Sequence, residues 1–427
     1  LHSFMMKQKK NYGYARLQQI LTPSPDRQTP LCPVASACGG CTLQHLSYSK
    51  QLAYKEKKVR DCLERIRGLD LSEVKWLPVL GMEEPWHYRN KAQFPVRKDK
   101  SGSPVTGFFA GHSHHLIPVD ACRIQHPAIN EVVSHILGFM RDFHIPAYEE
   151  EQHKGLVRHI YVRRGHHTGQ IMVCLVVNGS SLPHAEELTA RLREIAGMTS
   201  ICMNINKKRT NVILGPQMCS LWGPLYIEDT IGDIRFRISP QSFYQVNPVQ
   251  TARLYETALS FADLKGDETV WDLYCGIGTI SLLFARELER RGQAGSGLPV
   301  GKVCGVEIVP EAIENAKENA RSNGITNADF YCGAAETVVP ELVSQRKESV
   351  DVVVLDPPRK GCDAVLLDTV VQMAPEKIVY VSCDPATLAR DVKVLGEKGY
   401  EVRKVRVCDM FPQGGNTECC VKLCRIG

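Results

Sequence analysis

A cysteine that directly follows an apolar run is the clearest candidate for chemistry in this sequence of 427 residues. Cys383 stands in the tetrapeptide SCDP, after the strand pattern KIVYV and immediately before a helical pattern. Ligands of open α/β sheets bind at the carboxyl ends of the strands, and a helix N-terminus favours a thiolate. We therefore predict that Cys383 is a nucleophile with a stabilised thiolate. Glu418, which opens the last predicted strand in NTECC, is the candidate general base.

Three other strand ends carry residues suited to a nucleoside cofactor. The first strand of this region ends in DLYCGIGT (272–279), whose glycines let a ligand approach the backbone closely. The second ends in Glu307, where a carboxylate can accept hydrogen bonds from both ribose hydroxyls. These two features fit NAD or S-adenosylmethionine, although Ser281 replaces the third glycine of a dinucleotide fingerprint. The fourth strand ends in Asp356 of DPPRKG, which favours a methyltransferase, and Arg359 in place of an aromatic residue disfavours methylation of an exocyclic amine.

A thiol at a methyl-donor site has a specific use, because carbon 5 of a pyrimidine is a poor nucleophile. Addition of the Cys383 thiolate to carbon 6 converts the ring to an enolate whose carbon 5 accepts a methyl group. Carbon 5 still carries its hydrogen, which Glu418 must remove before the thiol can be eliminated. Cytosine-C5 methyltransferases share this chemistry, but they usually place the nucleophile in a Pro-Cys sequence, which this chain does not contain.

Four of the 17 cysteines have the spacing of a metal or cluster site. Five residues separate Cys32 from Cys38, two separate Cys38 from Cys41, and Cys122 is the natural fourth ligand. Four thiolates suit tetrahedral zinc or a four-iron cluster, but a zinc ribbon would have two close pairs. Three cysteines plus a distant fourth are therefore more typical of an iron–sulfur cluster. The scatter of the other cysteines indicates a reducing cytoplasm and not a secreted disulfide scaffold.

The chain is long enough for two or three domains, and its pattern changes twice. A proline-rich boundary separates residues 1–30 from the next stretch, 31–235, which has the mixed pattern of an α+β domain. In 31–235 we predict helices over 48–66 and 183–196 and strands over 93–97, 155–164, 169–177 and 211–216. In 236–427 strands and helices alternate regularly, which predicts a doubly wound α/β sheet with an antiparallel hairpin as its final edge.

Composition and charge narrow the class of protein. With 43% hydrophobic and 23% charged residues, the sequence is typical of a soluble globular protein. It has no apolar run near the roughly 18–20 residues of a membrane span and no secretory leader, so we expect a cytoplasmic protein. Residues 1–67 carry a net charge of +8 and the remainder −3. A basic front end suits RNA as the partner, and no obligate protein partner is evident.

Seven ordered motifs resemble the TrmA/RumA-type RNA uracil-C5-methyltransferase family, and the resemblance runs from Tyr12 to the C-terminus. The motifs are CGGCTLQH (38–45), YRNK (88–91), QSFYQVN (241–247), DLYCGIGT (272–279), DPPRKG (356–361), SCDP (382–385) and TEC (417–419). The resemblance implies a Rossmann-like methyltransferase fold for 236–427. It also implies that Cys383 is the nucleophile, Glu418 the proton acceptor and Phe243 the residue that stacks on the target base. The implied contacts to S-adenosylmethionine come from Gln245, Tyr274, Glu307 and Asp356.

The resemblance extends to the front of the chain. It implies a [4Fe-4S] cluster held by Cys32, Cys38, Cys41 and Cys122, with a structural or RNA-facing role. Such a cluster is usual in the 23S ribosomal RNA branch and usually missing from the transfer-RNA branch, so the former is expected and the latter is the alternative. These enzymes usually begin with a small TRAM/OB-like β-barrel that binds RNA, of which only the last strand, 12–21, is expected here. A catalytically inactive Fe–S RNA-binding protein is an alternative from another class, but it would need neither a thiol nucleophile nor a base.

Overall fold

The computed structural model describes residues 2–8, 13–67, 71–111, 113–293, 299–346 and 350–426. The first residue of the predicted strand 12–21 therefore lies outside the described residues. The strands of the described residues are β1 (His2–Gln8), β2 (Gly13–Gln19), β3 (Lys75–Leu80), β4 (Lys91–Lys98), β5 (Pro104–Phe109), β6 (Leu116–Pro118), β7 (Val157–Arg164), β8 (Ile171–Val177), β9 (Met198–Ile205), β10 (Gln217–Trp222), β11 (Ile227–Ile231), β12 (Ile234–Ile238), β13 (Thr269–Leu273), β14 (Lys302–Glu307), β15 (Ala328–Cys332), β16 (Val352–Leu355), β17 (Lys377–Ser382), β18 (Tyr400–Cys408) and β19 (Glu418–Arg425). The helices are α1 (Tyr48–Arg67), α2 (Pro127–Asp142), α3 (Ala185–Arg193), α4 (Pro248–Ala262), α5 (Thr279–Gln293), α6 (Pro310–Ser322), α7 (Ala335–Arg346), α8 (Ala364–Met373) and α9 (Pro385–Glu397).

The carboxyl-terminal region forms an eight-stranded sheet in the order β15-β14-β13-β16-β17-β19-β18-β3. Strands β13 to β17 are parallel, whereas β19 pairs antiparallel with both β17 and β18. Alternate residues of β16 face opposite sides: Val352 and Val354 pack with α4, α5 and α6, while Val353 and Leu355 pack with α1, α7, α8 and α9. The predicted doubly wound α/β sheet is confirmed, because both faces of apolar strands are covered by helices.

One expectation about this sheet is wrong. The β18–β19 hairpin was expected to form the edge, but β3 pairs in parallel with β18 and takes that position. The sequence KWLPVL of β3 contains Pro78, which argues against a central strand and is tolerated on an edge strand because no ladder donor is needed there. A segment far from residues 236–427 in sequence therefore completes the eight-stranded sheet, and α1 packs beside α9 next to it.

The middle of the chain forms a seven-stranded sheet in the order β10-β9-β8-β7-β4-β5-β6, which is antiparallel except for the β8–β9 pair. Helices α2 and α3 cover one face. The predicted strands over 93–97, 155–164 and 169–177 and the helix over 183–196 are confirmed. The strand predicted over 211–216 is wrong: this segment is a turn, in which the Asn206 side chain binds the Val212 and Ile213 carbonyls, and the strand begins at Gln217.

The other face of the seven-stranded sheet belongs to a hydrophobic core that it shares with the eight-stranded sheet. Tyr161, Met172 and Cys202 belong to the same buried cluster as Phe236 of the β11–β12 hairpin and Phe261 of α4. This shared core fixes the loop between β12 and α4 relative to the eight-stranded sheet. At the front of the chain, β1 and β2 pair as a two-stranded antiparallel sheet, so the structure has two strands where the sequence predicted one. None of the described helices is long and apolar enough to cross a membrane.

Candidate active site

The seven residues predicted to bind or react are brought together at the carboxyl edge of the eight-stranded sheet. They line one cavity of about 590 Å³, within the range of roughly 300–1,000 Å³ that is usual for small-molecule sites. These residues are Phe243, Gln245, Tyr274, Glu307, Asp356, Cys383 and Glu418. Parallel strands that end at the same edge explain the gathering of Tyr274, Glu307, Asp356 and Cys383, as expected for a doubly wound sheet.

Cys383 and Glu418 meet through the register of two antiparallel strands. Ser382, the last residue of β17, pairs with Cys419 of β19, so Cys383 and Glu418 lie opposite each other one position further along. Cys383 is half-buried, whereas Glu418 is 3% exposed. Burial raises the pKa of Glu418 to about 7, and the nearby Arg359 guanidinium opposes this rise. A carboxyl group with such a pKa is suited to take up a proton at neutral pH.

The expectation that the helix N-terminus stabilises a Cys383 thiolate is wrong for the protein without ligands. Burial and the neighbouring Glu418 and Asp356 carboxyls raise the pKa of Cys383 to about 11, and Arg359 only partly offsets them. The N-terminus of α9 is already used, because Asp384 Oδ1 accepts hydrogen bonds from Ala386 N at 2.9 Å and from Thr387 N at 3.2 Å. The Cys383 sulfur thus lies near two carboxyl groups, which oppose its ionisation.

Asp356 and Glu418 are buried carboxyls that line the cavity, Asp272 lies close enough to Asp356 to affect its pKa, and together they favour a cationic ligand. Burial raises the pKa of Asp356 well above its ordinary range, and Glu418 and Asp272 raise it further. Burial also raises the pKa of Asp272 to about 7, although Ser281 donates a hydrogen bond to it. A positive charge beside these groups would lower their pKa values, because an opposite charge favours the ionised form of a carboxyl group.

The glycine loop and Glu307 form an open cradle. Glu307 Oε2 accepts a hydrogen bond from Gly276 N at 3.2 Å, and Oε1 accepts one from Val309 N at 2.9 Å. Gly276 has a φ of +56°, and a Cβ at this position would meet no atom within 4 Å. Tyr274 has a φ of +76°, a conformation that costs a non-glycine residue about 1–3 kcal/mol. A ligand can therefore approach the backbone closely at Gly276, and Glu307 lines the same cavity.

The QSFYQVN segment brings Phe243 and Gln245 to the other wall. Phe243 is 66% exposed, and Gln245 is 8% exposed. The segment is held from the seven-stranded sheet, because Arg163 Nη2 donates to Ser242 O at 3.0 Å and Asn90 Nδ2 donates to Gln245 O at 3.0 Å. An aromatic ring that is exposed at the mouth of a cavity is suited to stacking on a flat ligand.

The structure adds residues to which the sequence assigned no role. Phe411, Asn416 and Arg359 also line the cavity. The YRNK motif supports it from outside, since Asn90 holds Gln245 as described and Tyr88 OH donates to Pro412 O at 3.1 Å. The sequence indicated these supporting roles only through the presence of the YRNK motif. The residues that Asn90 and Tyr88 contact lie 155 and 324 residues away in the chain, so local sequence could not identify them.

Cys32, Cys38, Cys41 and Cys122 line a second cavity of about 260 Å³. Gly39 permits this arrangement, because a Cβ there would lie 2.9 Å from both Gly111 N and Phe109 O. Burial raises the pKa of Cys41 to about 11, and each of the other three thiols is close enough to raise it further. Within the described residues, however, no group of three or more His, Cys, Asp or Glu side chains is arranged to hold a metal ion. The four thiols are of the right chemical type for a four-sulfur metal site, and they line the same cavity. In their present positions, however, they do not surround a metal ion.

Comparison with known proteins agrees with this geometry. A family model described as tRNA (Uracil-5-)-methyltransferase matches residues 47–426. A protein of Halalkalibacterium halodurans named an uncharacterized RNA methyltransferase is 49% identical over 413 residues, which are 96% of this chain and 87% of that protein. A protein of the same description from Clostridium acetobutylicum is 46% identical over 423 residues, or 99% of this chain and 89% of that protein.

Similarity also extends to a solved structure. The chain resembles the crystal structure of Pyrococcus abyssi tRNA (uracil-54, C5)-methyltransferase in complex with S-adenosyl-L-homocysteine, with a TM-score of 0.75 and 26% identity. The similarity covers 98% of this chain and 91% of that one. Since the family model spans nearly all of the chain and close relatives match along its whole length, the chain belongs to the tRNA (uracil-5-)-methyltransferase family, of TrmA/RumA type.

Proposed function

We propose that this protein methylates carbon 5 of a uridine in 23S ribosomal RNA, with S-adenosylmethionine as the methyl donor and Cys383 as a covalent nucleophile. The observation that carries the proposal is the position of Cys383 opposite Glu418, in the same cavity as Glu307 and Asp356. A thiol and a base with a pKa of about 7 have no use in a purely RNA-binding module. This pairing therefore disfavours the alternative of an inactive protein.

The cavity fits S-adenosylmethionine by the chemistry of its walls. Glu307 would accept hydrogen bonds from the ribose hydroxyls beside the open cradle at Gly276, and Gln245, Tyr274 and Asp356 would hold the rest of the molecule. When bound, S-adenosylmethionine supplies an electrophilic methyl group on a positively charged sulfur. The acidic surroundings of Cys383 and Asp356 suit that charge, and a nearby cation lowers the pKa of a thiol.

The residues of the chain then act in sequence. Phe243 stacks on the flipped uracil, and the Cys383 sulfur adds to carbon 6, which leaves negative charge on the carbon 5 side of the ring. Carbon 5 would take the methyl group from bound S-adenosylmethionine as the sulfur–carbon bond breaks, with the electron pair of that bond remaining on the cofactor's sulfur. Glu418 accepts the proton from carbon 5, the ring double bond returns, and the Cys383 sulfur leaves carbon 6 as a thiolate.

Substitutions should separate the roles of the two residues. Cys383→Ala should abolish both turnover and covalent capture of RNA, because no bond to carbon 6 can form. Glu418→Gln should still form the bond and transfer methyl, but loss of the base should slow release by about 10²–10⁴-fold. A methylated protein–RNA adduct should then persist in denaturing electrophoresis and carry radioactive methyl. RNA with 5-fluorouridine at the target should trap the unmodified enzyme in the same way, and a Cys383→Ala protein that methylates would refute the mechanism.

Arg359 should set the pH range of the reaction. Its charge lowers the pKa of both Cys383 and Glu418, so Arg359→Met raises both and reduces the thiolate and carboxylate fractions at a given pH. In the unmodified enzyme and in Arg359→Met, the rate of adduct formation on 5-fluorouridine RNA should rise with pH. In Arg359→Met this rise should occur at higher pH. Arg359→Lys, which keeps the charge, is the matched control. Identical profiles for the Met and Lys variants would contradict this electrostatic role.

We further propose that Cys32, Cys38, Cys41 and Cys122 hold a [4Fe-4S] cluster with a structural or RNA-facing role. Support comes from their shared cavity, and the ligand shell would have to close around the cluster. Protein purified without oxygen should be brown and contain iron and sulfide in near-equal amounts. Cys38→Ser and Cys122→Ser should lose the colour and part of the stability, because each supplies a ligand. Cys219→Ser, a half-buried cysteine outside the cavity, should keep both; colourless protein with stoichiometric zinc would refute the proposal.

The choice of 23S ribosomal RNA rests on the cysteine set, which by resemblance is typical of that branch. Transfer RNA is the second candidate, since the similar Pyrococcus abyssi protein is named for it. In either RNA the uridine must leave its stack, which costs a few kcal/mol and is easiest in unpaired loops. We expect methylation of a loop uridine in protein-free 23S fragments, with binding that weakens as salt is added. Activity on transfer-RNA transcripts alone would reverse the assignment of the branch.

A further inference from the structure

One loop carries two residues that line the active cavity and leads directly to a third, Glu418. Residues 409–417, here called the catalytic loop, join β18 to Glu418 and include Phe411 and Asn416. Glu418 is also the first paired residue of β19, opposite Cys408. Because the end of a ladder frays first, the position of Glu418 depends on how firmly this loop is held.

The loop is held by a segment from the front of the chain, residues 42–58, here called the clamp. The clamp begins directly after Cys41. Leu43 N donates to Gln413 O at 2.9 Å, and Gly415 N donates to Thr42 Oγ1 at 3.1 Å. Thr42 and Leu43, which directly follow Cys41 of the second cavity, thus bind the loop three and five residues before Glu418.

Gln51 forms the centre of the clamp. Its side chain is fully buried and exchanges two hydrogen bonds with Gln413: Nε2 donates to Gln413 Oε1 at 3.0 Å, and Oε1 accepts from Gln413 N at 3.0 Å. The same Nε2 donates to the Leu43 and Leu46 carbonyls. Gln413 has a φ of +68°, which a non-glycine residue adopts only when its surroundings require it. Gln51 therefore fixes a strained residue of the catalytic loop.

Two lysines hold the ends of the loop. Lys55 and Asp409 form a fully buried ion pair, and Lys55 Nζ also donates to Phe411 O at 2.9 Å. Tyr48 OH donates to the other Asp409 oxygen at 2.8 Å. Lys58 Nζ donates to Gly415 O at 3.1 Å, near the other end. Helix α1 thus contacts the loop from its start to within three residues of Glu418.

We propose that Gln51, Lys55 and Lys58 are positioning residues for Glu418, and that the clamp couples the cysteine cavity to the proton-removal step. The inference rests on the proposed function, in which Glu418 removes the hydrogen from carbon 5. The clamp does not line the cofactor cavity, so its loss affects Glu418 more than cofactor binding or thiol addition. A displacement of about 1 Å of a catalytic group reduces its rate by roughly 10²-fold.

The test compares Gln51→Ala with Glu418→Gln. In Gln51→Ala, release of the methylated adduct should slow by about 10- to 100-fold, while capture of 5-fluorouridine RNA and affinity for S-adenosylmethionine change less than about 2-fold. Lys58→Met, at a half-buried position that leaves no buried charge, should show the same pattern more weakly. Asn204→Ala is the matched control: it also removes a buried amide with four hydrogen bonds, but in the seven-stranded sheet.

The outcomes separate this inference from the proposed function. If Glu418→Gln accumulates adduct but Gln51→Ala and Lys58→Met release it at the unmodified rate, the positioning role is overturned and the base assignment stands. If Gln51→Ala and Asn204→Ala lower every step alike, Gln51 is only structural. Hydrogen exchange gives a readout without catalysis: amides of 413–418 should exchange faster in Gln51→Ala and in Cys41→Ser than in Asn204→Ala. Unchanged exchange in Gln51→Ala refutes the clamp, and unchanged exchange in Cys41→Ser alone refutes the coupling to the cysteines, even if Glu418 proves not to be the base.

Discussion

The antiparallel register between β17 and β19 is the constraint on which the candidate site depends. Side chains in a strand alternate between the two faces, so a slip by one residue would turn Glu418 away from Cys383. The register is fixed on both sides, because β19 pairs with β17 and with β18 and its residues are buried on both faces of the sheet. The placement of Glu418 near Cys383 therefore depends on the hydrophobic core as well as on the loop that precedes Glu418.

Several ionisable carboxyl groups lie around Cys383 and Glu418. Asp356 and Glu418 are carboxyls with raised pKa values near the Cys383 thiol, Asp272 is a third that interacts with Asp356, and Arg359 is a cation that lowers the pKa values of Glu418 and Cys383. A ligand that brings a positive charge would offset the unfavourable burial of these carboxyls. A sulfonium cofactor has that property, whereas its product without the methyl group does not, so the same charges favour binding of the methyl donor over the product.

Much of the fold could be predicted, and the errors have physical causes. The catalytic strands were recognised because buried parallel strands form continuous apolar runs that end at glycines or acids. Strand β3 was missed because Pro78 disfavours a strand except at an edge, and being at the edge is a property of the assembled sheet. The apolar residues of NVILGP suggested a strand. The Asn206 side-chain amide, however, donates hydrogen bonds to two backbone carbonyls of this segment and holds it in a bent conformation.

By itself the sequence determined the family, the doubly wound sheet and the set of candidate site residues, because these depend on short motifs and on local periodicity. Only the tertiary structure decided the raised pKa of Cys383, the contact of Asn90 with Gln245 and the buried contacts of Gln51 and Lys55 with the catalytic loop. Each of these depends on burial and on carboxyl or amide partners that are 27 to 362 residues apart in the chain. Local sequence carries no information about such distances, since burial is set by the whole fold.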